Sequence, residues 1–304
     1  MNYTSVLVNR IMIMFIIIFL GLICRKARLY DENFVKDLGN FLFYIVSPIS
    51  IFQSFVIPYS SEKAVALLTS FALSVLMFII TIGFALIFFR KEKYCIENFG
   101  TVVCNCGFFG IPVVRAVLGS EAVFYMTPYI VINVIGQWTY GTYIMCRDKN
   151  EISIKKIMTN TVVIATILGL IFFFCRIPLP SLLIDSFNDV TGMMGPLCAV
   201  IIGSNLAMTS FSDLKKDVMT PLVCFLRLVV IPLTAILIFR NIPCSYDLKY
   251  TLIITLCTPC GASTTVFSRN FKKDSYKAAR LVSVCTLLTA VSIPTMIKVL
   301  ELIW

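Results

Sequence analysis

The 304-residue chain contains no histidine, and only 14% of its residues are charged. Without imidazole there is no Ser–His or Cys–His nucleophile pair and no histidine general base. Its acidic residues fall in what read as loops, so enzymatic chemistry is disfavoured. The shortage of charge has a second meaning. Ordinary soluble domains carry about 25% charged residues, and a chain of this length cannot hide 59% hydrophobic residues in a water-soluble core. The twelve cysteines lie mostly within apolar blocks (Cys24, Cys104, Cys106, Cys175, Cys198, Cys224, Cys285). They read as small buried hydrophobes, with no disulfide framework. Cys257-x-x-Cys260 lacks a second ligand pair at metal-site spacing. No metal and no cofactor are expected.

Long uncharged runs fill the rest of the sequence. Cutting at charges leaves ten blocks: Ile11 to Cys24, Leu38 to Ser61, Ala64 to Phe89, Asn98 to Val114, Ala122 to Cys146, Ile157 to Cys175, Val190 to Ser212, Val218 to Phe239, Tyr250 to Ser268 and Leu281 to Ile297. Each suits a hydrocarbon core about 30 Å thick, which predicts an all-α membrane protein of ten transmembrane helices. The first block carries no small-residue cleavage site before "RKAR" and is read as a span. It is long enough only if Arg10 snorkels and the helix starts near Ser5.

Eighteen Lys and Arg residues lie in the loops after spans one, three, five, seven and nine, against seven in the termini and remaining loops. The positive-inside rule makes those five loops cytoplasmic and both termini non-cytoplasmic. The net charge of +10 then reflects topology and attraction to anionic lipid, with no nucleic-acid partner implied.

Internal repetition is visible. "GLI" at Gly21 recurs at Gly169, Pro48 in span two answers Pro196 in span seven, and Pro112 in span four answers Pro259 in span nine, at offsets of 148, 148 and 147 residues. Two halves, 1–150 and 151–304, each with an odd number of spans, would enter the membrane from opposite sides, an inverted-topology repeat common among secondary transporters.

Spans four and nine are interrupted. "NCGFFGIPVV" places Asn105, Gly107, Gly110 and Pro112 inside a span, and "TPCGASTT" does the same with Pro259 and Gly261. Irregular backbone at membrane depth is tolerated only where protein covers it or where it lines a wet cavity. Broken helices expose amide N–H groups that favour an anion. Asn105, Ser263, Thr264 and Thr265 could add neutral hydrogen bonds. Kinked but closed helices remain the plain alternative.

These segments resemble the auxin efflux carrier family, whose bacterial members include malonate and malate carriers. The similarity runs through "NFGTVVCNCGFFGIPVVRAVLGSEAVFY", the opening "GLICRKARLYDENFVKDLGNFLFYIVSPISIF", "RLVVIP", "TPCGASTTVFSRNF" and "AARLVSVCTLLTAVSIP", covering nearly the whole chain. The resemblance implies two inverted five-helix repeats with helices four and nine crossing at their prolines beside the substrate. Asn105, Gly107, Gly110 and Pro112 match the first crossover motif, and Pro259 matches the second. Ser263 and Thr264 stand where many members carry asparagine, so substrate preference does not transfer.

Other polar residues need partners. Arg227 falls near mid-membrane, where the cost is at least about 2.5 kcal/mol. No carboxylate is evident inside a span, leaving helix C-terminal carbonyls at a break, or a bound anion, to satisfy it. Asn133 and Gln137 lie one turn apart in span five and could line a cavity or bond between helices. The expectation is a multi-pass carrier in the cell membrane moving a small organic anion, a mono- or dicarboxylate, by alternating access. Its partners are that anion and the bilayer, and a homodimer is compatible with it. The coupling acid is open, Asp185 and Asp189 being the loop-end candidates. A sodium-coupled carrier of the bile-acid type and a non-transporting ligand receptor are the rival readings.

Overall fold

The computed structural model describes residues 3–209 and 217–303, so the end of the seventh predicted block lies outside the described residues. The chain is all-helical, and six of its helical stretches, or seven if a bent pair counts as one, are long and apolar enough to cross a membrane.

In chain order the helices are α1 (Tyr3–Lys26), α2 (Glu32–Phe41), α3 (Ser47–Ser54), α4 (Ser61–Phe89), α5 (Cys95–Val102), α6 (Ile111–Leu118), α7 (Ala122–Gly136), α8 (Thr142–Cys146) and α9 (Ile154–Met158). They continue as α10 (Thr161–Cys175), α11 (Ser181–Gly192), α12 (Met194–Met208), α13 (Met219–Phe225), α14 (Ile231–Arg240), α15 (Tyr246–Leu256), α16 (Ser263–Asn270) and α17 (Ser275–Ile303). The first helix does begin well before Ile11, leaving Arg10 exposed on its second turn.

Local chemistry sets the boundaries. Asp31, Ser60, Asn160 and Ser245 accept first-turn N–H groups of α2, α4, α10 and α15, satisfying donors that a helix start leaves unpaired. Wide π turns at Leu42–Val46, Cys106–Gly110 and Leu226–Val230 run directly into α3, α6 and α14, each with proline in its first turn (Pro48, Pro112, Pro232). A proline lacks the N–H of a normal turn and presses on the carbonyl four residues back. The wider turn relieves that pressure without ending the rod.

Two packing groups result. In one, α1 lies against α12 and α3 against α10. In the other, α4, α5, α7, α8 and α13 to α17 pack among themselves, and α6 reaches across to α1. Small residues allow the tightest approach in the first group. A methyl on Gly21 would lie 2.6 Å from the Val200 carbonyl, and one on Gly203 would lie 1.9 Å from the Ile18 carbonyl.

Candidate functional site

The interruptions predicted in the fourth and ninth blocks are present, and they meet. Helix α5 stops at Val102, where Val103 turns to extended backbone. Helix α15 stops at Leu256, and the chain is irregular to Ala262. The two irregular stretches run antiparallel past each other at Cys104 and Cys260. Asn105 N–H donates to the Pro259 carbonyl at 2.8 Å, and Gly261 N–H donates to the Val103 carbonyl at 2.9 Å.

One element of the expectation is corrected. The crossing involves Pro259 but not Pro112, which lies two turns further on, inside the first turn of α6. Pro112 stands in a continuous helical run, where the preceding π turn of Cys106–Gly110 makes room for its ring and missing N–H. What ends α5 is competition for its backbone groups from neighbouring elements.

Asn133 of α7 supplies part of that competition. Its Oδ1 accepts the Cys104 N–H and its Nδ2 donates to the Cys104 carbonyl, both at 3.1 Å, so its amide completes the ladder that a third strand would have completed. Arg227 supplies the rest. It is fully buried, and Nε donates to the Thr258 carbonyl at 3.1 Å, Nη2 to the Leu256 carbonyl at 3.2 Å, and Nη1, more weakly, to the Thr101 carbonyl at 3.4 Å. The planar fork thus reaches the C-terminal ends of α5 and α15 together. A helix C-terminus carries roughly half a negative charge, so one guanidinium compensates both.

The helix starts at the crossing have no such compensation. Among the described residues, no backbone carbonyl accepts the N–H groups of Cys106, Gly107 and Phe108, or those of Ala262 and Ser263, although the Cys104 and Cys106 sulfurs lie against the first two. The Asn105 side-chain amide is 7% exposed and has no hydrogen-bond partner among the described residues. A methyl on Gly107 would meet nothing within 4 Å, so space adjoins this end. Gly110 is tightly enclosed, its added methyl lying 2.5 Å from Met126 and 3.1 Å from Thr258. Ser263 is half-buried, and Thr264 is fully buried with an unpartnered hydroxyl. Gln137 begins a π turn, half-buried, and is not joined to the crossing.

A cavity of about 310 Å³ flanks α6, with Pro112, Arg115 and Arg10 in its walls together with the bend between α11 and α12. Arg115 also borders a second cavity of about 230 Å³, lined by Ser50, Gln53, Ser54, Ser120 and Asn188 among others.

A buried acid lies immediately before the fourth predicted block. Glu97 sits in α5, 1% exposed, with one oxygen 2.5 Å from Lys277 Nζ and the other unpartnered. Reading charges as block boundaries concealed it. The spacing to Thr101, whose hydroxyl donates to the Glu97 carbonyl, is a helical signal that could have extended the block. Asp185 and Asp189, the loop-end acids, are exposed on α11. Asn98 gives no sequence signal of its own role. Its amide donates to the Ala85 and Phe89 carbonyls and accepts from Tyr140, tying α5 to the end of α4.

Beside Lys277, Arg280 pairs with Asp217 at 3.3 Å. Burial by itself would push the Asp217 carboxyl up, but hydrogen bonds from the Thr220 hydroxyl and N–H, with the positive charges of Lys277 and Arg280, hold it below the usual carboxylate range. A carboxyl lowered in the folded state contributes stability fully above its unfolded value, about pH 4, and loses it as pH falls through the lowered value. Asp217→Asn should therefore lower the melting temperature at pH 7 and leave it much less changed near pH 3. An equal loss at both pH values would count against this pairing.

A family model described as "Membrane transport protein" matches residues 6–297. An uncharacterized transporter of Methanocaldococcus jannaschii is 23% identical over 280 residues, covering 87% of this chain and 89% of that protein. With the match running from the first helix into the last, and the crossover motif at its centre, the chain belongs to the membrane transport protein family of auxin efflux carrier type.

Proposed function

We propose that the protein is a secondary carrier of a small organic anion, a mono- or dicarboxylate, bound at the crossing of the two broken helices. The observation that carries this reading is the imbalance at the crossing. Arg227 neutralises the two helix C-termini, while the two starts keep N–H groups that no backbone carbonyl among the described residues accepts, beside the side-chain amide of Asn105 and the hydroxyl of Ser263. Such donors bind a carboxylate without a fixed charge that would hold it too firmly. Arg227 and Asn133 act in this scheme as positioning residues, since their polar groups are spent on backbone.

The ten-span arrangement in two inverted halves, 1–150 and 151–304, is part of the proposal. Its spans four and nine are the broken pairs α5/α6 and α15/α16, its span six ends the bent pair α9/α10, and its span seven is the near-continuous α11/α12. Reciprocal packing supports it. Gly21 in the first span meets Val200 in the seventh, and its repeat mate Gly169 in the sixth meets Phe55 at the end of the second. Each half lends its first span to the other half's second.

Both termini are assigned to the non-cytoplasmic side of the cell membrane. Glu97–Lys277, Asp217–Arg280 and Glu92–Lys273 then lie at the cytoplasmic side, and Lys63–Glu121 at the opposite side with both cavities, an asymmetry compatible with one state in an alternating-access cycle.

The test begins with melting-temperature screening of purified protein against acetate, malonate, malate and succinate, since a ligand bound to the native state raises it. Uptake of the stabilising acid into proteoliposomes follows. Asn105→Ala should reduce uptake about ten- to hundredfold, the loss of one or two hydrogen bonds to a charged group, with unchanged insertion. Pro112→Ala should impair it as well, by loosening the start of α6. Wild-type uptake by both variants would refute the site.

A further inference from the structure

The cavity beside α6 has an unusual balance of charge. Arg10 of α1 and Arg115 of α6 both line it, and no acidic residue does. Neither guanidinium has an ion pair or a hydrogen-bond acceptor among the described residues. The remaining wall is almost wholly apolar, with Ile13, Met14, Ile17 and Ile111 prominent. Its one hydroxyl, on Thr191, is already donated to Gln53.

Arg115 is half-buried and also borders the second cavity. There the Ser50 hydroxyl, on a residue 3% exposed, lacks any partner. The acid of that cavity, Glu121, is already paired with Lys63 at 2.7 Å. Half-buried guanidinium without a counter-ion is costly in a low-dielectric setting, because desolvation is not offset by attraction. None of the described residues supplies such a counter-ion here.

We propose that Arg10 and Arg115 form a second anion site, separate from the helix crossing, for an amphipathic anion: a carboxylate or phosphate head between the guanidiniums and an apolar body against the Ile13–Ile17 face of α1. Planar guanidinium forks suit both heads, which each offer two acceptor oxygens. A volume of about 310 Å³ admits a solute with a short alkyl tail, or the head and upper chain of an anionic lipid. The shared chemistry is the head group joined to apolar carbon. A dissolved solute and a bilayer lipid are its two sources.

The site stands independently of the crossing, and the experiment separates them. Purified, delipidated protein is titrated with hexanoate, acetate and hexanol while its melting temperature is followed, and in parallel is exposed to phosphatidylglycerol or phosphatidylcholine and examined by native mass spectrometry. The same measurements are made on Arg10→Gln, Arg115→Gln, the double variant and Asn105→Ala. Since neither arginine has a partner among the described residues and the desolvation of Arg115 is uncompensated, the variants should fold with ligand-free melting temperatures no lower than the wild type's.

A free-solute site gives stabilisation by hexanoate beyond that by acetate or hexanol, with at least tenfold weaker apparent binding in each single variant and none in the double. A lipid site gives phosphatidylglycerol adducts that the double variant loses and phosphatidylcholine does not reproduce. Asn105→Ala should leave either signal intact. Either pattern supports the site and identifies its source. Absence of both signals, their persistence in the double variant, or equal stabilisation by hexanol overturns it. Were Asn105→Ala to abolish the signal, the anion would belong to the crossing, and the second site would be refuted while the carrier reading stood.

Discussion

Arg227→Leu should produce a protein that inserts but unfolds at a far lower temperature than the wild type. The substitution leaves the Thr101, Leu256 and Thr258 carbonyls without the donor they share. Each buried acceptor so abandoned costs about 1–3 kcal/mol, and the two helix ends regain their uncompensated partial charge. A total of about 3 kcal/mol or more corresponds, by the size scaling of folded domains, to a fall of roughly 6–12 °C.

Arg227→Lys separates charge from geometry. A single ammonium on a flexible stem keeps the charge but cannot span both helix ends as a planar fork does, so an intermediate loss is expected. Thermal unfolding of both variants in the same detergent decides the matter. Equal melting of Arg227→Leu and wild type would show that the fork holds nothing together.

Gly203→Val is expected to be nearly as severe, through packing rather than electrostatics. Even a methyl at this position would lie 1.9 Å from the Ile18 carbonyl and 2.8 Å from the Leu22 nitrogen, both main-chain atoms that cannot rotate away. Overpacking against movable side chains costs about 1–3 kcal/mol. Here α1 and α12 must separate along their length, which places the effect at or above the top of that range. Gly39→Val is the matched control, since a methyl there meets nothing within 4 Å. If both valine variants melt alike, close approach of α1 and α12 does not hold that pair.

The contrast between these residues shows what could be read from the sequence. The helical, membrane-embedded class followed from composition and long apolar runs. The two interruptions followed from glycine and proline in places where neither suits a rod. Arg227 announced itself by being unaffordable, and helix C-terminal carbonyls were among its foreseen partners.

The location of the first break was less legible. Pro112 draws attention, yet α5 ends at Val102 because Asn133, Arg227 and Pro259, remote in sequence, take over its backbone groups. Glu97 was hidden for a related reason: its charge ended the apolar block, and the Lys277 that pairs with it in the fold lies far along the chain. Asn133 was legible as a polar face residue, but whether it faced a solute or a main chain depended on a neighbour that local pattern does not specify. Gln137, read on the same face, makes no side-chain hydrogen bond to the crossing among the described residues, and a π turn begins there.

The exchange of hydrogen bonds between Asn105, Pro259, Val103 and Gly261 has a consequence for biogenesis. During synthesis the first of these segments emerges long before the second, and at 5–20 residues per second the delay is roughly 8–30 s. Throughout that interval the Val103 carbonyl and the Asn105 N–H lack their native mates, and only Cys104 between them can be met early, by Asn133; unpaired main chain is an expensive condition in hydrocarbon. The nascent segment must wait at the translocon, in the headgroup region or beside a chaperone, so maturation of this protein is timed by the arrival of its own C-terminal third.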